Sequence, residues 1–384
     1  MASISKRPNG KWRARYRDGD GREHARHFPR KADAQRWLDE VTTSMVTGQY
    51  VAPAAGQVTF REYAEQWRQA QLHRATSAAK VESILRLHAY PAFGGRPIAS
   101  ILPSEVQAWV KGLPLAPSTV AVVHGVVAGV FRAAVADRRI VSSPCDGTRL
   151  PESVSDEVVP LTLGQVRTIA AALPSHLRAL VTLAASTGLR QGEAFGLTVD
   201  RSGLRPLSRQ PALKVDRQLV TVEGEGQHLG PPKTKASRRT IPLPTVAVDA
   251  LAAHLAEHPP TAQPMEHRDG GKVWTEPVEL VFTTASGSPL RRSHFSRHWR
   301  EAVAAAGAPD GTTFHDLRHF YASLLIRHGE SVKVVQSRLG HATAAETLDT
   351  YSHLWPDSED RTRAAVDTVL GAPADSVRTG EVPR

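Results

Sequence analysis

The chain has 384 residues, a formal net charge of +10 and a pI near 10.0. That length gives two or three domains with ample material for a core, and the basic excess points to a polyanionic partner. Cys145 is the only cysteine, which excludes an intramolecular disulfide and a cysteine-based zinc site and suits a reducing compartment.

The first residues carry no apolar h-region, so no secretory signal is expected. Residues 1–31 hold ten Lys and Arg against three Asp and Glu. Within them Trp12–Arg17 reads as a strand, Asp18-Gly-Asp-Gly21 as a turn and Glu23–Phe28 as a returning strand. Lys31–Val41 reads as an amphipathic helix that backs the sheet. A basic sheet with one helix can lay a strand face in a DNA groove; the plainer alternative is a solvated hairpin. Val51-Ala-Pro-Ala-Ala-Gly56 suits a tether.

Thr59 with Glu62 has capping-box spacing and opens a helix whose Phe60, Tyr63 and Trp67 share one face. A second helix is expected over Ser77–Ala89, with breaks at Pro91, Gly94, Gly95 and Pro97. A third starts at Pro103 with Ser104 as cap. A fourth runs from Pro117 to about Asp137. Its apolar run Val120–Ala136 contains His124 and Arg132 and falls short of the ~20 residues that span a bilayer. Gly125 and Gly129 are expected to allow close packing in a soluble bundle. His73, Arg74, Lys80, Arg86 and Lys111 are all candidates for phosphate contact, with no basis for choosing among them.

Pro151–Glu157 reads as a polar linker. Pro160–Gln165 begins a helix and His176–Ser186 is a second, apolar one. Thr187-Gly188 is a turn, and Arg190 stands at the head of a short helix with Glu193 one turn on, able to pin it. Leu213–Val222 alternates like a strand. Pro231–Pro244, with Lys233, Lys235, Arg238 and Arg239, reads as a second hairpin turning near Ala236-Ser237. Residues 256–277 look like a variable surface insertion; His258 and His267 lack a third metal ligand at suitable spacing. Val281–Gly287 is a strand end and turn, and Ser293–Ala306 a helix.

The densest chemistry comes last. Thr313-Phe-His315-Asp-Leu-Arg318-His319 opens a helix with Leu317, Phe320, Tyr321, Leu324 and Leu325 expected inward. His315 and Arg318 share a face at i, i+3. Ser331–Arg338 is the next helix, Leu339-Gly340-His341 a corner, and Thr343–Tyr351 a short helix. Cations for non-bridging oxygens, imidazoles for a proton and a phenol for attack on phosphorus suffice for phosphoryl transfer without metal. Tyr321 is a competing phenol; its place in the apolar pattern argues for core. Arg361–Leu370 is a further helix, and residues 372–384 are expected to be disordered.

His315-x-x-Arg318, Leu339-Gly-His341 and Tyr351, with Thr187-Gly-Leu-Arg190-Gln-Gly-Glu193 upstream, resemble the signature of the tyrosine recombinase (phage integrase) family. The resemblance implies a multidomain α+β fold. An arm-type DNA-binding domain (1–55) of small β-sheet plus helix is followed by an all-α core-binding bundle (58–150) and a mainly α catalytic domain with β-hairpins (156–371). It implies a site-specific recombinase in which Tyr351 forms a 3′-phosphotyrosine and Arg190 and Arg318 hold the phosphate. His315 takes the phenol proton, His341 bonds the phosphate, and Lys233 protonates the leaving 5′ oxygen. Lys235 is the runner-up for that last role, and Arg238 or Arg239 is expected on the DNA backbone. Implied partners are double-stranded DNA at core and arm sites, a homotetramer on it, and accessory bending or directionality factors. The expected setting is a bacterial cytoplasm, with no membrane. Neither metal nor nucleotide cofactor is implied. Actinobacterial phages or integrative elements are the expected origin.

Three rivals remain. A type IB topoisomerase shares the chemistry but not the arm-like N-terminus. A metal phosphohydrolase would use His315, Asp316, His319 and His341 and leave the Arg pair and Tyr351 idle. A non-catalytic DNA-binding regulator leaves the whole set unexplained.

Overall fold

A computed structural model describes residues 2–19, 21–48, 50–152, 157–204, 210–222, 224–355 and 359–371. The chain divides into two compact units, Met1–Ser155 and Asp156–Arg384. The expected disorder beyond residue 371, and much of the expected linker at 151–157, fall outside the described residues.

The first unit begins with an antiparallel sheet of β1 (Ser3–Lys6), β2 (Trp12–Arg17) and β3 (Glu23–Phe28), in that order. Sequence reading missed β1: Ser-Ile-Ser-Lys is a weak strand by itself and forms by pairing, Ile4 opposite Ala14. Helix α1 (Lys31–Val46) covers one face, where Ala14, Tyr16, Ala34 and Leu38 are buried. Successive strand side chains point to opposite faces. The other face of β2 therefore presents Arg13, Arg15 and Arg17, and Glu23 lies against the first two at 3.0 and 3.5 Å.

The helical part of this unit starts with α2 (Phe60–Ala70). Thr59 Oγ1 accepts from the Glu62 N–H at 3.2 Å and Glu62 returns the bond. Next come α3 (Ala75–Ile84), a π-turn over Leu85–Ala89, and α4 (Tyr90–Phe93). The expected break at Pro91 is thus displaced to Gly94. Proline has no N–H to give, and the wider π-turn just before it lets the helix continue past the missing donor. Helix α5 (Pro103–Gly112) has Leu102, not Ser104, at its cap. Pro103 takes the first helical position, and Glu105 accepts the Leu102 N–H at 2.8 Å. Helix α6 (Pro117–Ala136) is long and apolar enough to cross a membrane by length and composition. Its Val120, Val123, Val127, Val130, Phe131 and Ala134 are nevertheless buried here. Val127, Val130, Phe131 and Ala134 join Phe60, Tyr63 and Leu85 in one core, the signature of a central bundle helix. Of the two glycines only Gly129 serves close packing: a Cβ there would stand 3.3 Å from the Trp67 ring, whereas Gly125 faces open space.

The second unit opens with α7 (Leu163–Ala172), α8 (Ser175–Thr187) and α9 (Gln191–Phe195). The expected single strand over Leu213–Val222 is two, β4 (Ala212–Val215) and β5 (Gln218–Val222), split by a corner where Arg201, Lys214 and Arg217 gather on Asp216. Nor does Pro231–Pro244 form a hairpin. Strand β6 (Gly226–Gly230) pairs with β5, while β7 (Arg239–Pro242) pairs with β4 in another sheet. Pro231 and Pro232 cannot donate to a ladder, so the chain leaves the sheet and makes a 3-10 turn at Lys235–Ser237. After α10 (Thr245–Glu257), the expected surface insertion is an ordered hairpin, β8 (Ala262–Asp269) and β9 (Lys272–Glu279). It turns at Gly270-Gly271 and extends the sheet to β5-β6-β8-β9.

Among the described residues five helices follow: α11 (Arg292–Ala305), α12 (Asp316–Arg327), α13 (Val332–Leu339), α14 (Ala344–Tyr351) and α15 (Glu359–Leu370). Leu177, Leu180, Phe195, Phe282, Phe295 and Leu317 belong to the main core. Tyr321, Ile326, Val335, Leu339 and Tyr351 form a second, smaller one. Leu324, expected inward on α12, is 41% exposed; the buried face of the helix runs instead through Leu317, Arg318, Tyr321, Ala322 and Ile326.

Candidate active site

The site is built where α8 ends. Gly188 takes φ 65° as the cap of α8, and a Cβ there would stand 2.6 Å from the Tyr321 ring, so glycine is required twice over. The reversal puts Arg190 at the cap of α9. Its own N–H donates to Glu193 at 3.0 Å, and its Nη1 donates to Glu193 at 3.2 Å and to Ser237 Oγ at 3.2 Å. Glu193 is buried and also receives both Nη atoms of Arg239, at 3.1 and 2.9 Å. Burial pushes the Glu193 pKa up, but Arg239 and Arg190 outweigh it and hold the carboxyl below its usual range. Arg239 Nε donates to the Arg338 carbonyl at 2.8 Å. Arg239 is therefore a buried brace for Glu193, not a residue turned toward a DNA backbone. Arg238 is the exposed neighbour, 3.6 Å from Asp269.

Arg318 projects from the first turn of α12 into the interior and is 1% exposed. Its Nη1 donates to the Gly188 carbonyl at 2.9 Å; its Nη2 is buried without a partner. Burial, then Arg190 and Arg239, push its pKa down to about 9, so it stays charged at pH 7. A buried guanidinium with an idle donor and no carboxylate on it is an incomplete anion site. His315 caps α12 and opens to solvent at its edge. Its packed surroundings, with His319, Arg318 and Arg190, push its pKa down to about 4.

Helix α13 ends at Gly340, φ 68°, where a Cβ would meet the Ala236 carbonyl at 3.0 Å and Arg239 Cδ at 3.1 Å. That close turn points the Gly340 carbonyl at Arg190 Nη2, 3.5 Å away, and turns His341 inward. Thr347 Oγ1 lies 2.8 Å from His341 Nδ1 and sets which edge of the ring is held. Burial first, then Arg318, push the His341 pKa down to about 4. Tyr351, one turn after Thr347, is 1% exposed. Its ring stacks on His341 with centroids 6.4 Å apart, and its Oη lies 2.8 Å from His319 Nδ1. Burial raises its pKa to about 12, against the pull of Arg318 and Arg190.

Arg190, His315, Arg318, His341 and Tyr351 thus share one electrostatic neighbourhood, drawn from the α8–α9 turn, α12, the α13 cap and α14. Lys233 stands on the exposed connector between β6 and β7, whose far end, Ser237, touches Arg190. Burial does not separate the rival phenols, since Tyr321 is 7% exposed and Tyr351 less. Contact does: Tyr351 alone of the two is held against imidazoles in the hydrogen bonds and ring pairs of the described residues. The imidazole touching the phenol is that of His319, not His315. His319 lies at i, i+4 from His315, so helical spacing could have found it; Thr347 bears the same relation to Tyr351. Among the described residues no three His, Cys, Asp or Glu are grouped to hold a metal ion.

Three family profiles match the chain. "Phage integrase family" matches residues 160–357, "Phage integrase, N-terminal domain" matches 2–47, and "Phage integrase central domain" matches 60–150. A Mycobacterium tuberculosis relative bearing the name prophage phiRv2 integrase is 30% identical over 360 residues, 90% of this chain and 89% of its own. The integrase of Mycobacterium phage D29 is 27% identical over 340 residues, 85% of each chain. Among solved structures, the Tn1549 transposon integrase bound to a circular intermediate DNA has a TM-score of 0.66 at 22% identity, covering 81% of this chain and 99% of that one. A lambda integrase tetramer bound to a Holliday junction has a TM-score of 0.56 at 18% identity, covering 93% and 95%.

Proposed function

On the premise that this chain belongs to the phage integrase family and is a site-specific tyrosine recombinase, we propose that Tyr351 is its nucleophile and that the surrounding cluster is the phosphate site. Oη of Tyr351 attacks a backbone phosphate of duplex DNA and forms a 3′-phosphotyrosine, with a free 5′ hydroxyl as leaving group. The 5′ hydroxyl of a partner duplex then reverses the step, so the bond energy is retained. The chain carries this out to integrate or excise a phage or other mobile element.

The idle Nη2 of buried Arg318 supports this most directly. A phosphoryl oxygen supplies the missing acceptor, and the oxygen's developing charge in the transition state strengthens that bond. Arg190 offers the second guanidinium. His315 and His341, neutral at pH 7 given their lowered pKa values, offer N–H groups to the same oxygens. Lys233, on the exposed connector, is the general acid for the 5′ oxygen. Tyr351 is 1% exposed, so the groups covering its hydroxyl part when DNA engages. The arginine face of β2 suits phosphates and base edges of a second DNA segment. By analogy with the lambda integrase tetramer on its Holliday junction, four copies act on two duplexes in the bacterial cytoplasm, with accessory bending or directionality factors.

The test is a nicked, labelled suicide substrate carrying the repeat that flanks the element, incubated in EDTA. Wild type is expected to give a covalent protein–DNA band and Tyr351→Phe none, with equal mobility shifts. A band in Tyr351→Phe moves the nucleophile, with Tyr321 next in line. A mobility shift without any band in wild type favours a non-catalytic DNA-binding regulator.

A further inference from the structure

The roles above leave one polar contact unused. His319 Nδ1 lies 2.8 Å from Tyr351 Oη, and the two ring centroids are 5.6 Å apart. No other hydrogen bond to this hydroxyl is recorded among the described residues. His315 packs edge-on against His319, centroids 4.9 Å apart, and is not the imidazole hydrogen-bonded to the phenol.

We propose that His319 is a catalytic residue, the proton acceptor for Tyr351 during strand cleavage and the donor that returns the proton during rejoining. The proposal rests on Tyr351 being the nucleophile. In cleavage the phenolic proton passes to Nδ1 as the Oη–P bond forms and the P–O5′ bond breaks, the 5′ oxygen taking a separate proton from the general acid. In rejoining the incoming O5′–H returns its proton to the general acid, now deprotonated, as O5′ attacks phosphorus and the P–Oη bond breaks. The imidazolium of His319 hands its proton back to Oη. No other reactant is needed, and charge on the ring lasts only while the phosphotyrosine does.

The surroundings fit a base. A phenol this buried cannot ionise into water, so its proton needs an adjacent acceptor. The groups acting on His319 are Asp316 and Arg318 from its own helix, His315 beside it, and Tyr351 from α14. Burial, with Arg318, keeps the ring neutral at pH 7, while Asp316 favours the imidazolium once it forms. Nδ1 can then accept when the other ring nitrogen carries the hydrogen.

The experiment measures the rate of covalent complex formation on the suicide substrate for wild type, His319→Ala, His319→Gln and Tyr351→Phe. Each variant is first matched for melting temperature and DNA mobility shift. Glutamine keeps a hydrogen-bonding side chain but cannot carry a proton away. The proposal expects both His319 variants to fall by about 100-fold or more, the usual scale of general-base catalysis. Added imidazole is expected to restore much of the His319→Ala rate. A 5′-bridging phosphorothiolate, whose sulfur leaves without protonation, is expected to rescue Lys233→Ala but not His319→Ala. A wild-type rate in His319→Gln overturns the proposal in favour of positioning. A faster rate in His319→Ala overturns it in favour of a latch that holds Tyr351 back. Rates within threefold of wild type in both variants overturn it outright. If Tyr351→Phe still forms the adduct, the nucleophile assignment itself has failed, which is a separate result.

Discussion

Two buried arginines in the second unit are treated in opposite ways. Arg239 is fully matched: both Nη atoms lie on Glu193 and Nε on the Arg338 carbonyl. Arg318 has one carbonyl on Nη1 and nothing on Nη2. Matching a buried charge makes it part of the frame, whereas leaving it half-matched costs stability and keeps a donor for an anion that comes and goes. The contrast separates a guanidinium whose donors are all held from one that keeps a free donor, although both groups are the same residue type in neighbouring places.

The largest expected effect tests the half-matched side. Arg318→Met should cut covalent adduct formation by about 100- to 1000-fold, the scale for loss of one preorganised donor to a developing oxyanion. Its stability should be unchanged or higher, even with the Gly188 carbonyl left without its donor, because an unpaired buried charge is gone. Suicide-substrate kinetics and urea melts read the two quantities, and a strongly destabilised Arg318→Met would erase the contrast. Arg239→Met should behave the other way. It strands Glu193 without its bidentate partner and should cost about 3–5 kcal/mol by chemical denaturation. An Arg239→Met chain as stable as wild type would mean that Glu193 finds enough compensation in Arg190.

Gly340→Ala touches both sides, since Gly340 lies against Arg239 and precedes His341. Its left-handed backbone and crowded Cβ position predict a loss of about 1–3 kcal/mol, with slower cleavage as His341 shifts. Lowering pH gives the gentlest probe. The unfolded chain takes up a proton on His341 near the ordinary imidazole value of 6.5, the native one only near 4. Stability should therefore fall as pH drops from 6.5 toward 4, by about 1.4 kcal/mol per pH unit from this group. His341→Gln should make that part of a melting-temperature profile less steep, with His315 still contributing. A profile unchanged by the substitution would show that other groups govern acid stability.

Much of the site is legible in the sequence, because its signals are local. Arg190 follows a Thr-Gly turn, Glu193 lies one helical turn on, and His315 and Arg318 share a face. The capping box at Thr59 and the strands around Asp18-Gly-Asp-Gly21 are equally short-range, set by neighbouring backbone groups and side-chain period. Where sequence and fold part company, the deciding contact is remote. β1 needs β2, and β7 pairs with β4 over the nearer β6. The Pro91 break is absorbed by a π-turn upstream, and the apparent insertion at 256–277 becomes the hairpin that widens the sheet.

The sequence by itself determined the inventory: a basic, multidomain α+β chain whose cations, imidazoles and phenol occur at spacings suited to phosphoryl transfer. That much follows because residue type and helical period are written in the chain. Tertiary structure decided the assignments within the inventory: that Arg239 braces while Arg318 waits, that Thr347 orients His341, and that His319, not His315, meets Tyr351. Those outcomes depend on how far apart side chains from α9, β7, α12, the α13 cap and α14 come to rest, and hydrogen bonds and desolvation act only at those final distances.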